Sequence, residues 1–181
     1  MTFSEKRNAL VCALNQFVRH PVLMASQVQP EAEPPFIIYS ATADYLPDGG
    51  LGDYSYFGEG TEDYVEARTE QPSATFSFTA CSINRSYTDD DGNPVTIFGA
   101  DEALELATLA QGFFLHGGLD DIRKAGFVVV EVTNAGSRDA LELDEMGRRY
   151  GFDVRLRYTR TDSRNVGTVS NTPITTGKTK E

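Results

Sequence analysis

Residues 152–158, FDVRLRY, alternate apolar and charged side chains without a break. Phe152, Val154, Leu156 and Tyr158 fall on one face of an extended chain and Asp153, Arg155 and Arg157 on the other, the period of a half-buried strand. One face must enter a core, and the other is left to meet something. Arg148 and Arg149 lead into this strand, in a chain whose formal net charge is -11. A planar guanidinium suits pairing with carboxylates on a partner surface. The pattern therefore predicts an assembly strand rather than a catalytic one, with Arg148, Arg149, Asp153, Arg155 and Arg157 as candidate subunit or partner contacts.

The rest of the chain is consistent with a protein that acts by contact. Its 181 residues suit one domain and can bury a core without disulfide or metal staples. No run approaches the ~20 apolar residues of a spanning helix, so no membrane segment is expected. The charged start, MTFSEKRNAL, does not read as a secretory signal, and residence in a cytoplasm-like compartment is expected. Cys12 and Cys81 are far apart with no CxxC pattern, which predicts free thiols. Charge is divided unevenly: residues 1–147 hold 24 acids and 8 bases, residues 148–181 hold 3 acids and 8 bases. Opposite ends of opposite sign suit contacts between unlike patches of neighbouring copies. No basic cluster is dense enough for specific binding to duplex DNA.

Along the chain, Thr2 and Glu5 form a capping box that starts a helix of about four turns, with Leu10, Leu14 and Phe17 as its apolar stripe and an end near His20 and Pro21. Cys12 falls on the opposite side. Residues 36–39 read as a short strand behind a proline-rich entry. Residues 41–73 read as one long, acidic, glycine-rich excursion with short strands around 54–57 and 64–68, and a loop of that length implies partner contact or mobility. Tyr54, Tyr56 and Phe57 are its candidate contact residues. Residues 73–85 alternate as a strand, a turn at 88–94 follows, and residues 95–98 are expected to return as its hairpin partner. Residues 101–116 read as the strongest helix, with Ala103, Leu106, Ala110, Phe113 and Phe114 facing the core and a glycine at its end. Residues 127–133 form a β-branched strand expected to pair with 152–160. From Thr161 onward too few large apolar residues remain for the tail to order itself.

Motifs for catalysis are missing. GGLGDYS at 49–55 has Ser55 where a dinucleotide loop needs its last glycine. PITTGKTK near the C-terminus has Thr172 where a phosphate loop needs its first glycine. Asp89, Asp90 and Asp91 fail the calcium-loop register, which would put Tyr87 and Phe98 at ligand positions, so a solvated turn is the better reading. His20 and His116 sit near helix C-termini and form no catalytic set. No catalytic residue, cofactor or metal is assigned.

The order of elements, with Pro35-Phe36-Ile37-Ile38-Tyr39 early and Arg149-Tyr150-Gly151-Phe152-Asp153-Val154 late, resembles the tail terminator, or neck terminator, proteins of tailed bacteriophages over roughly residues 3–175. The resemblance implies an α+β fold with an antiparallel or mixed β-sheet flanked by an N-terminal and a central helix. It implies one domain over residues 1–160; the polar arm over 161–181, extended or partly disordered or docked on another subunit, is read from composition, and its end after Asn171 departs from the family pattern. It further implies a non-enzymatic virion protein, assembled in the host cytoplasm, that closes as a hexameric ring on the head-proximal end of the tail tube. Its partners would be copies of itself, the tail tube protein, a neck or head-completion protein and, as a further candidate, the tail sheath. DNA would meet it only in transit, past acidic residues such as Asp89, Asp90 and Asp91. The alternatives are a head-completion or minor tail protein and, more distantly, a small cytosolic hydrolase that binds a cation in the acidic loop between Asp44 and Glu70.

Overall fold

Helix α1 (Phe3–Val18) begins at the capping box: the Glu5 amide donates to Thr2 Oγ1 at 3.3 Å and the Thr2 amide donates to Glu5 Oε2 at 2.7 Å. It ends where Arg19 turns left-handed at φ 58°. The structure, a computed structural model, describes residues 1–25, 32–58, 63–138 and 147–167. The strands are β1 (Val22–Met24), β2 (Phe36–Leu46), β3 (Asp53–Phe57), β4 (Asp63–Glu70), β5 (Ser73–Ser82), β6 (Arg85–Thr88) and β7 (Pro94–Ile97). Helices α2 (Gly99–Gly112) and α3 (Leu119–Lys124) flank a π-helical turn over Phe113–Gly117. The chain then forms β8 (Phe127–Val132), β9 (Gly136–Ser137), β10 (Arg148–Tyr158) and β11 (Arg160–Gly167).

The main sheet has the order β1-β2-β5-β10-β8, with β9 pairing the other end of β10. Only β1 to β2 is parallel; the other pairs are antiparallel, so the fold is α+β, a mixed sheet flanked by an N-terminal and a central helix, as the sequence implies, and both helices pack on the same core-facing side of the sheet. The alternation in residues 152–158 is realised: Phe152, Val154, Leu156 and Tyr158 point into the core. They meet Phe76 and Phe78 of β5, Leu10 and Leu14 of α1, and Leu106, Ala110, Phe113 and Phe114 of the central helical segment. Phe78 is stacked on Phe152 with ring centroids 5.7 Å apart, and Phe114 sits 5.0 Å from Phe78. Aromatic pairs of this kind add about 0.5–1.5 kcal/mol beyond burial.

Four expectations change. In α1 the buried seam is Leu10, Leu14 and Val18, an i, i+4 line, whereas Phe17 stays 38% exposed and packs on Phe113 at 5.3 Å. The central helix widens to a π turn where consecutive phenylalanines must both reach the core, and Gly118 has no room for a side chain because a Cβ would come within 2.1 Å of the Phe113 ring. Residues 94–97 pair with Arg85–Thr88 and not with the long strand, whose neighbours β2 and β10 already occupy both of its edges. Residues 161–167, expected to be either disordered or docked on another subunit, belong with Arg160 to a strand along β4 of the same chain. Its order comes from backbone pairing rather than from burial, which is why apolar content did not reveal it. Residues 168–181 lie outside those described.

Candidate interaction surfaces

Strands β5 and β10 do not stop at the edge of the main sheet. Arg157 pairs with Ser73 on one side of the join and Arg160 with Glu70 on the other, so β4-β5 and β10-β11 form one antiparallel ribbon in constant register. The Tyr158 amide donates to the Pro72 carbonyl at 3.0 Å across the join. Beyond it, β3 adds to β4 and makes a three-stranded arm of order β11-β4-β3. The region read from sequence as an irregular excursion is thus largely this arm, with β2 running on to Leu46 to meet it.

Cross-strand partners share a face, and on one face of the arm they form a polar network. Glu70, 3% exposed, accepts from Arg68 at 2.7 Å and from the Tyr45 hydroxyl at 3.0 Å, with Arg160 at 3.7 Å. Glu66, 7% exposed, is held by Arg164 and by the Tyr56 hydroxyl at 2.8 Å. The Arg164 hydrogen bond, then that of Tyr56, keeps the Glu66 carboxyl below its usual range, and the same bond pushes the Tyr56 hydroxyl up. The opposite face carries small side chains, Ser55, Ala67, Thr69, Thr161 and Ser163, with Asp53 at one end and Phe57 and Val65 at the other. Among the described residues no helix or second sheet is layered on either face. Tyr54, Tyr56 and Phe57, the contact candidates of the sequence, project from β3 and are more than half exposed.

At the other end of β5 stands the β6-β7 hairpin. Its turn is closed by Asp89, whose carboxylate accepts from the amides of Asn93 at 2.7 Å and Asp91 at 3.1 Å, which hold it below the ordinary aspartate range. Gly92, at φ 84°, supplies the left-handed residue of that turn. Asp90 and Asp91 are exposed at the tip. The base is fixed by Arg85, which donates twice to Glu102 of α2 at 2.7 Å, while Ser82 donates to the same carboxylate. Arg85 first, with Ser82 assisting against burial, lowers the Glu102 carboxyl.

The outer face of β10 is less free than its sequence suggests. Asp153 accepts from Arg138 at 2.8 Å, and Arg138 also donates to Ser77 at 2.5 Å and Thr79 at 3.1 Å. Burial acts to raise the Asp153 carboxyl, and the bonds from Arg138 and Ser77 outweigh it. Arg155 pairs with Glu131 of β8 at 3.3 Å. Arg157 is exposed and has no hydrogen bond or ion pair among the described residues. Arg148 and Arg149 are half-buried at the start of β10, opposite Ser82 and Cys81. Sequence reasoning missed Arg138, although Gly151 inside a strand signals a close approach by another group. It also missed the network around Glu66 and Glu70, since a carboxylate's burial in a two-faced sheet leaves no mark in composition.

Cys12 is exposed and Cys81 buried, and the two are not bonded to each other. Among the described residues, no cluster of three His, Cys, Asp or Glu side chains is placed to hold a metal, and no helix is long and apolar enough to cross a membrane. The two carboxylates Glu66 and Glu70 of the acidic loop proposed for a cation are taken up by arginines.

The geometry is therefore a rigid sheet that carries an aromatic arm at one end and an acidic hairpin at the other. No curated protein matches the chain. The family model for the phage neck terminator protein matches residues 8–180, nearly the whole length, and the chain belongs to that family of structural proteins of the phage tail and neck.

Proposed function

We propose that six copies of this chain close into a ring on the head-proximal end of the tail tube, where the ring ends tube polymerisation and joins the tail to the neck and head. Family membership implies association with other tail and head proteins. The observation that carries the finer reading is the two-ended build. The ten residues of β5, about 33 Å at ~3.3 Å per residue, separate the arm from the acidic hairpin.

A terminator must match the last ring of the tube on one side and withhold the tube's polymerising surface on the other. Two unlike ends on one stiff sheet meet that need, because each can be shaped for a different neighbour. In this reading the outer face of β10 and the arm of one copy, with the half-buried Arg148 and Arg149 and the exposed Arg155, Arg157, Tyr54, Tyr56 and Phe57, contact adjacent copies or the tube and neck proteins. Asp90 and Asp91, at the hairpin tip beside Asp89, line the DNA path and repel phosphate, so that the genome passes without being held. The strand β11 belongs to the arm.

The test is assembly in cells infected by a phage that lacks this chain. The proposal expects tubes of uncontrolled length that are not joined to heads. Tails of normal length lacking only a head connection would favour a head-completion role instead.

A further inference from the structure

Among the described residues the main sheet ends on β1 and β8 and the arm ends on β11 and β3; of these edges the pair of interest is β3, which pairs only with β4, and β8, which pairs only with β10. Open edges are templates for another strand, and proteins usually blunt or cover them. Strand β8 carries a β-bulge at Val130 and β3 begins with an acid, yet no strand pairs along either edge among the described residues. Strand β8 reads FVVVEV and leaves Val128 60% and Val130 37% exposed on the outer face of the sheet, beside Arg157. Strand β3 reads DYSYF, with Asp53, Ser55 and Phe57 on one face and Phe57 62% exposed.

The two edges are complementary. Aromatic and β-branched side chains make favourable cross-strand neighbours, and Asp53 and Arg157 are opposite charges that each lack a partner among the described residues. Pairing β3 with β3 is disfavoured, because every charged residue from Ala41 to Ala67 is acidic and like charges would meet. We propose that β3 of one copy lies along the β8 edge of a second copy, so that Asp53 and Phe57 continue the face that holds Arg157, Val128 and Val130. The contact is heterologous, each copy giving an arm and receiving one, and contacts of that type close into rings. The inference rests on the reading that the chain assembles with itself, and it names the two surfaces that meet.

The test uses the full chain in two variants, one with a defective arm (Asp53→Lys, Phe57→Ser) and one with a defective edge (Val130→Glu, Arg157→Glu), compared with wild type by light scattering after size exclusion. Circular dichroism checks folding, and Arg157→Glu alone serves as the milder edge variant. Wild type is expected to form a closed oligomer, and each folded variant to lose it. A 1:1 mixture of the two should give a heterodimer and nothing larger, since one intact arm and one intact edge remain between them. Folded variants that keep the wild-type mass, a mixture that stays monomeric, or an edge variant that still dimerises through its arm would each overturn the pairing while leaving self-assembly intact. A wild-type chain that is monomeric at every concentration would overturn the self-assembly reading itself.

Discussion

Arg138 passes over Gly151 to reach Asp153, with Nη2 and Oδ1 2.8 Å apart. A Cβ at Gly151 would come within 2.7 Å of Arg138 Cδ and of the Phe78 carbonyl oxygen, so the glycine, the arginine and the aspartate form one unit. The segment Tyr150-Gly151-Phe152-Asp153 is thereby explained physically: the glycine gives passage, the phenylalanine fills the core and the aspartate anchors the arginine.

Gly151→Ala should destabilise the fold by about 1–3 kcal/mol, the usual cost of overpacking, because the Phe78 backbone must shift along with the arginine. Urea unfolding should show a lower midpoint at an unchanged slope.

Phe78→Ala should cost about 3–5 kcal/mol, since the ring is buried, stacked on Phe152 and in tilted contact with Phe114. Thermal unfolding measures it, and a loss under ~1 kcal/mol would contradict the core described above.

The pH dependence follows from carboxyls held low in the fold. Glu102, through Arg85, and Glu66, through Arg164, both sit below the ordinary glutamate value of 4.5. A carboxyl depressed by folding stabilises the native state above its unfolded value and loses that contribution as pH falls through the folded one. Stability should therefore hold at neutral pH and fall as the solution is acidified below about 4.5. Glu102→Gln should flatten that fall, and denaturant titrations at successive pH values measure it.

Glu70→Gln should loosen the arm without unfolding the body. The carboxylate is bound by Arg68 and Tyr45 and lies near Arg160, and hydrogen bonds to a charged group are worth about 1.5–3 kcal/mol. Hydrogen exchange should quicken in Asp63–Glu70 and Arg160–Gly167 and stay unchanged in Ser73–Ser82. Faster exchange in both regions would mean that the arm and the sheet open together.

Much of the body was legible in the sequence because its signals are periodic. The alternation in β10 and the apolar stripe of α2 each state which face is buried, and the structure buries those faces, while the capping box marks where α1 starts. In the arm, the short strands expected around 54–57 and 64–68 are β3 and β4, whereas β11 and its pairing were not legible, for a physical reason: a sheet with neither face in a core has no apolar period to display. Its order comes from pairing partners about a hundred residues apart, such as Val65 with Asn165. Tyr54, Tyr56, Phe57 and Arg157 do stand exposed, whereas Asp153 and Arg155 find partners in their own chain, Arg138 and Glu131, which no local pattern announces.

The mass of the assembled particle tests the central claim most directly. Native mass spectrometry of the purified full chain should give six copies of 19.9 kDa, about 119 kDa. A single copy of 19.9 kDa across the whole concentration range would contradict a protein that works by closing on itself.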